Sequence, residues 1–312
     1  MPLFSVVIPL YNKRDTVARA LNSVLAQGVQ DLEVIIVNDG STDGSEMVVA
    51  GFADPRIRII QQVNQGVSAA RNRGIAEARA DLIAFLDADD EWLPEFLATI
   101  GRMAARYPQC NLYGTRYFLQ NTRGERRPAV VRGLASNFEG ILADYFRVAA
   151  RSSPPVCSSA VCARRLALKG IQGFPVGVRS GEDLLTWARL AARGPVAYSM
   201  ECLAVFVQSA AETCEEPPSR EPESSDAVGA GLASLHKEIP KHLEGSVRQY
   251  RAFWHKMRAS CFLRLGRSAV ARREILMGLR QTVTAKLLVY WVLSLCPSGW
   301  VRGAFRMGTL NR

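Results

Sequence analysis

Asp87, Asp89 and Asp90 stand directly behind the apolar run Leu82–Leu86, three carboxylates in four positions with only Ala88 among them. Such a cluster at the end of a buried segment presents hard oxygen ligands, which suit Mg2+ (Mg²⁺) or Mn2+ held together with phosphate oxygens. A lone aspartate would read as a helix N-cap, and Asp90 ahead of Glu91-Trp92-Leu93-Pro94 fits that role, but three exceed what capping needs. Three more polar clusters follow apolar runs: Tyr11-Asn12-Lys13, Asn38 to Asp43, and Asn64-Gln65-Gly66. The Tyr11 ring can stack on a heterocycle, and a carboxylate at Asp39 can accept from a ring imide N–H, which uracil and guanine offer and cytosine lacks. Asn38-Asp39-Gly40-Ser41 is equally a turn sequence. Arg71, one turn beyond Gln65-Gly66, could join helix N-terminal amides in holding a diphosphate, or be an ordinary exposed arginine. These clusters contain no cysteine or histidine, so the chemistry they suit is that of a metal ion and phosphates.

The elements that must position them follow from the hydrophobic pattern. Phe4–Leu10, Leu32–Val37, Ile57–Gln62 and Leu82–Leu86 are short apolar runs of buried-strand type, and helical spacing follows Asp15-Thr16, over Ser45–Phe52 and over Val67–Ala78. Strands alternating with helices of this length predict an α/β fold, a mostly parallel sheet with helices on both faces. In such sheets ligands bind outside the carboxyl ends of the strands, where all four polar clusters fall. Further on, Leu112–Gln120 reads as a strand, Phe138–Ala149 as a helix and Leu203–Gln208 as a short apolar run.

Four segments, Phe4-Ser-Val-Val-Ile-Pro-Leu-Tyr-Asn12, Val37-Asn-Asp-Gly-Ser-Thr-Asp43, Asn64-Gln-Gly-Val-Ser-Ala-Ala-Arg-Asn-Arg-Gly74 and Phe85-Leu-Asp-Ala-Asp-Asp90, resemble in order and spacing the family-2 inverting glycosyltransferases, which have the Rossmann-like GT-A fold. The resemblance is strong over about residues 4–105 and extends weakly to about 195. It implies a nucleotide-sugar donor site of Pro9, Tyr11, Asn12, Asp39, Arg71, Asp87 and Ala88: Tyr11 and Asp39 at the base, Arg71 at the diphosphate and Asp87 at the nucleotide. It implies a divalent metal, Mg2+ or Mn2+, on Asp89 of the D-x-D motif with Asp87 beside it. Ser180-Gly-Glu-Asp-Leu-Leu-Thr-Trp187 looks like the family's G-E-D segment, whose acidic pair, here Glu182 and Asp183, supplies the general base, with Asp183 the candidate. Ser180-x-x-Asp183 also has the spacing of a capping box. No Q-x-x-R-W follows, so the resemblance to processive cellulose- or chitin-synthase-like members fails and transfer of a single sugar is expected. The donor is then a UDP-sugar first and a GDP-sugar second, and the acceptor a saccharide or a lipid-linked one.

The 312 residues suffice for a sizeable core, and seven cysteines without a C-x-x-C pair point to a reducing compartment and no structural zinc. The net charge of +10 lies in the tail: residues 241–312 hold 14 Lys and Arg against Glu244 and Glu274, a net +12, which leaves −2 for the rest. A slightly acidic catalytic region without a nucleic-acid motif argues against nucleic-acid binding, and no G-x-G-x-x-G follows the first strand, against hydride transfer. No signal peptide or spanning helix is expected, since the run Leu287–Cys296 is half the roughly 20 residues a span needs. The domain reading is 1–210 catalytic, 211–240 an acidic Pro/Ser-rich linker or lid, and 241–312 a basic helical region. In that region Tyr250, Phe253, Trp254, Met257 and Cys261 form an amphipathic helix ending at Gly266, and Ala271, Ile275 and Leu279 a second. Leu287–Leu293 flanked by Lys286, Arg302 and Arg306 has the character of a segment lying on an anionic membrane surface, with packing onto the protein as the alternative. The chain is thus expected in the cytoplasm, peripheral at the inner face of the membrane if that segment docks. A non-catalytic scaffold on this fold, bound to a membrane by its tail, is the competing reading; a scaffold has no need of carboxylates that repel one another at one rim.

Overall fold

The structure, a computed structural model, describes residues 1–306, so the last six residues of the basic region lie outside the described residues. The first half alternates as expected: β1 (Phe4–Leu10), α1 (Val17–Leu25), β2 (Leu32–Asp39), α2 (Ser45–Ala50), β3 (Ile57–Gln62), α3 (Val67–Glu77) and β4 (Leu82–Phe85). There follow β5 (Glu91–Trp92), α4 (Phe96–Arg106), β6 (Leu112–Gln120), β7 (Arg126–Pro128), β8 (Glu139–Ile141), α5 (Tyr145–Arg151), β9 (Val161–Arg164), α6 (Arg165–Gly170), α7 (Glu182–Arg193) and β10 (Val196–Val207). The ten strands form one sheet of order β3-β2-β1-β4-β9-β6-β10-β5, with β7 on β6 and β8 on β10. Pairing is parallel from β3 to β4 and between β6 and β10, and antiparallel at β9, β5, β7 and β8.

The chain divides into two compact units. The first comprises Met1–Gln120, Arg126–Tyr145 and Ser152–Val207. In it β2 is buried along its whole length, as expected of a strand covered on both faces. Phe4 opposite both Leu32 and Leu82 sets a register that brings the ends of β1, β2 and β4 to one rim. Gly74 of α3 lies so close to β1 that an added Cβ would stand 2.3 Å from Val7 Cγ1, which explains a glycine inside a helix where it otherwise costs about 1 kcal/mol.

One expectation fails here. Phe138–Ala149 is not a single helix: Glu139–Ile141 is strand β8, antiparallel to β10, and the helix starts only at Tyr145. The spacing of Phe138, Ile141, Leu142, Tyr145 and Phe146 mimics a helical stripe. The exposed edge of β10 wins, because it satisfies the backbone at both ends of β8, through Met200 N–H to Phe138 O and Leu142 N–H to Val196 O. The run at Leu203 is the end of β10, a twelve-residue strand with register shifts between Ser199 and Ala204.

The second unit takes in Asn121–Glu125, Phe146–Arg151 and the chain from Gln208 onward. The acidic stretch expected as a linker or lid belongs to this unit, where the Arg264 guanidinium donates to the carbonyls of Ala211 and Glu216 and that of Arg258 to Glu223 O. Its helices are α8 (Ala227–Ser234), α9 (Glu244–Arg264), α10 (Ser268–Gln281), α11 (Ala285–Leu293) and α12 (Ser298–Arg306). The α9–α10 hairpin closes as the sequence implies. Gly266, at φ +75°, donates to Leu263 O and Arg267 N–H to Phe262 O, the paired bonds of a Schellman motif. The aromatic stripe of α9, with Tyr250, Phe253 and Trp254, is buried. No helix among the described residues is long and apolar enough to cross a membrane.

Candidate active site

The four polar loops at the rim of the first unit are laced to one another by their own motif residues. Asn12, at φ +51°, accepts from Thr42 N–H through Oδ1 at 2.8 Å, while its own N–H donates to Ser41 Oγ. Asn38 Oδ1 accepts from Ser41 N–H, which makes the turn the sequence allows. Asp39 is buried, and its carboxylate accepts from Gln62 Nε2 and from the backbone N–H groups of Gln65 and Gly66, at 2.7, 2.9 and 2.8 Å. It therefore ties the second loop to the third, and Oδ2, with one bond, retains capacity for another donor. Tyr11 stands exposed at the end of β1, Pro9 is paired with Val37 inside the sheet, and Ala88 is buried.

A chain of charges runs along the rim behind this lacing. Arg71 is 2% exposed; its guanidinium donates to Asp87 Oδ1 at 2.7 Å and to Glu182 Oε1 at 3.0 Å, and lies 5.2 Å from the centre of the Phe174 ring. Both terminal nitrogens of Arg71, the residue expected at a diphosphate, hold carboxylates here. Glu182 and Asp183 occupy the first turn of α7, where the helix dipole favours acids. The N-cap there is Gly181, and no side chain caps the helix, so the capping-box alternative for Asp183 does not form. Asp183 accepts from Leu184 N–H at 2.7 Å and sits 3.4 Å from Ser158 Oγ. Its carboxyl is pushed up to about 7, first by loss of water around it and then by the charge of Glu182, against the pull of Arg71.

The aspartate cluster divides by function. Asp89 remains partly open at the rim and pairs with Lys13 Nζ at 2.5 Å, while Arg19 donates to its backbone carbonyl. Asp90 turns inward: its carboxyl is bound to Ser159 Oγ at 2.5 Å and to Val207 N–H at 2.8 Å. Burial, then the charges of Asp87 and Asp89, push it well above the usual carboxylate range. Asp90 therefore clamps the motif to Ser159 and to the end of β10. The same Ser159 hydroxyl accepts from Asp87 N–H, so it fixes the backbone of the motif. Ser159 and Lys13 were not singled out by sequence reasoning. Lys13 had a signal, its place in the first polar loop; Ser159, 72 residues from Asp87 along the chain, had none.

Asp87 and Asp89 offer partly exposed oxygen donors, the hard donor set a Mg2+ or Mn2+ ion requires. A second group with ligand atoms within 4.8 Å of one another, Asp226, His255 and Glu274, lies in the helical unit. It already holds a cation, because the Arg258 guanidinium stands 2.8 Å from Glu274 and 3.8 Å from Asp226.

A family model described as glycosyl transferase family 2 matches residues 5–167, just over half of the chain. The chain belongs to glycosyl transferase family 2. This family-2 chain is 43% identical over 113 residues to the uncharacterized glycosyltransferase YibD of Escherichia coli strain K12, covering 34% of the chain and 33% of that protein. It is 31% identical over 196 residues to the uncharacterized glycosyltransferase RC0461 of Rickettsia conorii, covering 62% and 30%. The chain spans about a third of the length of the curated relatives it matches. Among solved structures, S. aureus TarS in complex with UDP-GlcNAc superposes with a TM-score of 0.61 at 18% identity, covering 99% of this chain and 92% of that one. The mannosyltransferase PcManGT of Pyrobaculum calidifontis, in complex with GDP-Man and Mn2+, gives 0.58 at 16%, covering 98% and 87%. These likenesses show the GT-A fold.

Proposed function

We propose that this family-2 chain moves a single sugar, with inversion, from a nucleotide-diphosphate sugar to a saccharide or lipid-linked acceptor. The observation that carries this reading is the crowding of carboxylates at the rim: Asp87, Asp89, Glu182 and Asp183 lie together, with Arg71 paired to Asp87 and Glu182 and Lys13 paired to Asp89. Carboxylates crowded in this way repel one another, and a divalent ion would relieve that repulsion. Held by Asp89 and Asp87, such an ion would act as a Lewis acid that neutralises the leaving diphosphate. Arg71 positions Asp87 and Glu182. Asp183 accepts the proton of the acceptor hydroxyl as that oxygen attacks the anomeric carbon and the diphosphate leaves from the opposite face; a carboxyl near 7 is well matched to this work at neutral pH. Tyr11 and the spare lone pair of Asp39 are the groups for the base, which favours uracil first and guanine second. One UDP-sugar complex and one GDP-sugar complex among the structures sharing the fold support both.

A thermal-shift panel of UDP-, GDP-, dTDP- and CMP-sugars, each with and without Mn2+, tests the donor. A ligand at ~100 times its Kd adds about 2.7 kcal/mol of stability, so the UDP-sugars should give the largest Mn2+-dependent rise in Tm. A rise confined to CMP-sugars, or one indifferent to Mn2+, contradicts the reading.

A further inference from the structure

The helical unit carries an uncovered apolar face that nothing in the transfer reaction uses. On α11, Leu287 and Tyr290 point into the core of the unit. Leu288 and Val292, at i and i+4, are exposed together with Val289, and Leu295 is exposed in the turn that follows the helix. They are large and aliphatic, Val292 being 61% and Leu295 67% exposed. Trp300, 77% exposed, follows on α12. The outward side of α10 repeats the pattern with charge added: Leu276 and Met277 are exposed, flanked one turn away on the same face by Arg273 and Arg280.

Large apolar side chains left exposed on neighbouring helices in this way mark a docking site, and the charge selects the occupant. Residues 241–312 carry 14 basic groups against two acids, and one of those acids, Glu274, is buried between His255 and Arg258. A second copy of the chain would bring the same positive excess to the contact and be repelled. An occupant with an apolar interior and a negative surface is attracted on both counts. We propose that the outward face of α10 and α11, with Trp300, docks on an anionic lipid surface, the aliphatic side chains entering the headgroup–acyl boundary and the arginines staying at the phosphates. Helices of 14 and nine residues lie in the interface and cannot span it. Trp300 suits the boundary, with an apolar ring and a polar N–H. This inference does not depend on the sugar-transfer reading.

The test is co-sedimentation of the full chain with phosphatidylcholine vesicles, with and without about 30% phosphatidylglycerol. The wild-type protein should bind only the anionic vesicles, and less as salt rises, since charges are screened over ~8–10 Å at physiological ionic strength. Leu288→Glu with Val292→Glu, both at exposed positions and so without effect on folding by circular dichroism, should lower binding at least ~10-fold. Arg273→Glu with Arg280→Glu should weaken it and flatten the salt dependence. No binding of the wild-type chain to anionic vesicles at low salt overturns the proposal, as does binding that the Leu288/Val292 variant retains. A concentration-dependent dimer in light scattering that the same variant abolishes assigns the face to a second copy instead.

Discussion

Two groups of carboxylates in this molecule look alike in composition and differ in how their charge is met. In the helical unit, Asp226 and Glu274 are saturated: Arg258 lies against both, His255 Nδ1 meets Glu274 at 2.9 Å, and Trp254 Nε1 donates to Asp226 at 2.9 Å. Burial alone would raise the Glu274 carboxyl, yet His255 and Arg258 hold it below the usual range. At the rim of the sheet the reverse holds. Arg71 pairs with Asp87 and Glu182 and Lys13 with Asp89, while Asp183 rises to about 7, first by burial and then by the charge of Glu182. Proximity of acids and histidine therefore does not distinguish a binding site from a structural tie; the unmet charge does, because a saturated cluster has nothing to gain from an ion or a proton.

The comparison can be broken at either end. Asp89→Ala should reduce transfer by roughly 10³-fold or more, about 4 kcal/mol of barrier, in a protein that still folds; full activity of the wild type in EDTA would falsify the metal role. Glu274→Gln leaves the Arg258 charge buried without its closest acid and should cost about 3–5 kcal/mol of stability, read from the denaturation midpoint, with metal dependence unchanged. Because the Glu274 carboxyl is depressed when folded, its contribution is present above the unfolded carboxylate range and is lost as pH falls through the folded value. A wild-type chain whose midpoint is flat through that acid range would count against the saturated reading.

Asp183→Asn sharpens the rim side. As the base, Asp183 must be ionised, so kcat should rise as pH passes through about 7 and the variant should lose roughly 10²-fold with that limb abolished. Stability moves the other way. A carboxyl raised when folded contributes stability below its unfolded value that is lost as pH rises towards about 7, so the asparagine should raise Tm at neutral pH. Near wild-type turnover by Asp183→Asn with Glu182→Gln dead would move the base by one residue. The smallest effect is expected for Lys13→Gln: a half-exposed pair is worth only about 0.2–1 kcal/mol, so removing the ammonium that competes for Asp89 should tighten Mn2+ binding about two- to fivefold in calorimetry.

Much of this was legible in the sequence for a physical reason. The strands and helices of residues 4–86 announce themselves by period, and the motifs lie in loops fixed by parallel pairing, so chain order translates directly into position. What failed to show were pairings across long separations. Nothing near Asp90 says that Ser159 and Val207 will claim its carboxyl, and nothing near Arg71 says that Glu182, 111 residues on, will occupy it. Gly140 inside an apparent helical stripe was the sole local hint that Glu139–Ile141 would join β10 as a strand. In the C-terminal region the spacing identified α9 and α10 but not α8, which falls in the stretch expected as a linker or lid, nor α12, and which side of α11 stays uncovered depends on the core that Leu287 and Tyr290 enter.

The most direct test of the account is a calorimetric titration of Mn2+ into the intact chain in the presence of UDP, carried out on wild type, Asp89→Ala and Asp226→Ala, with chain integrity followed by circular dichroism. The account predicts one nucleotide-dependent Mn2+ site, lost in Asp89→Ala and retained in Asp226→Ala. Loss of the site in Asp226→Ala with full retention in Asp89→Ala would place the ion in the helical unit and contradict it.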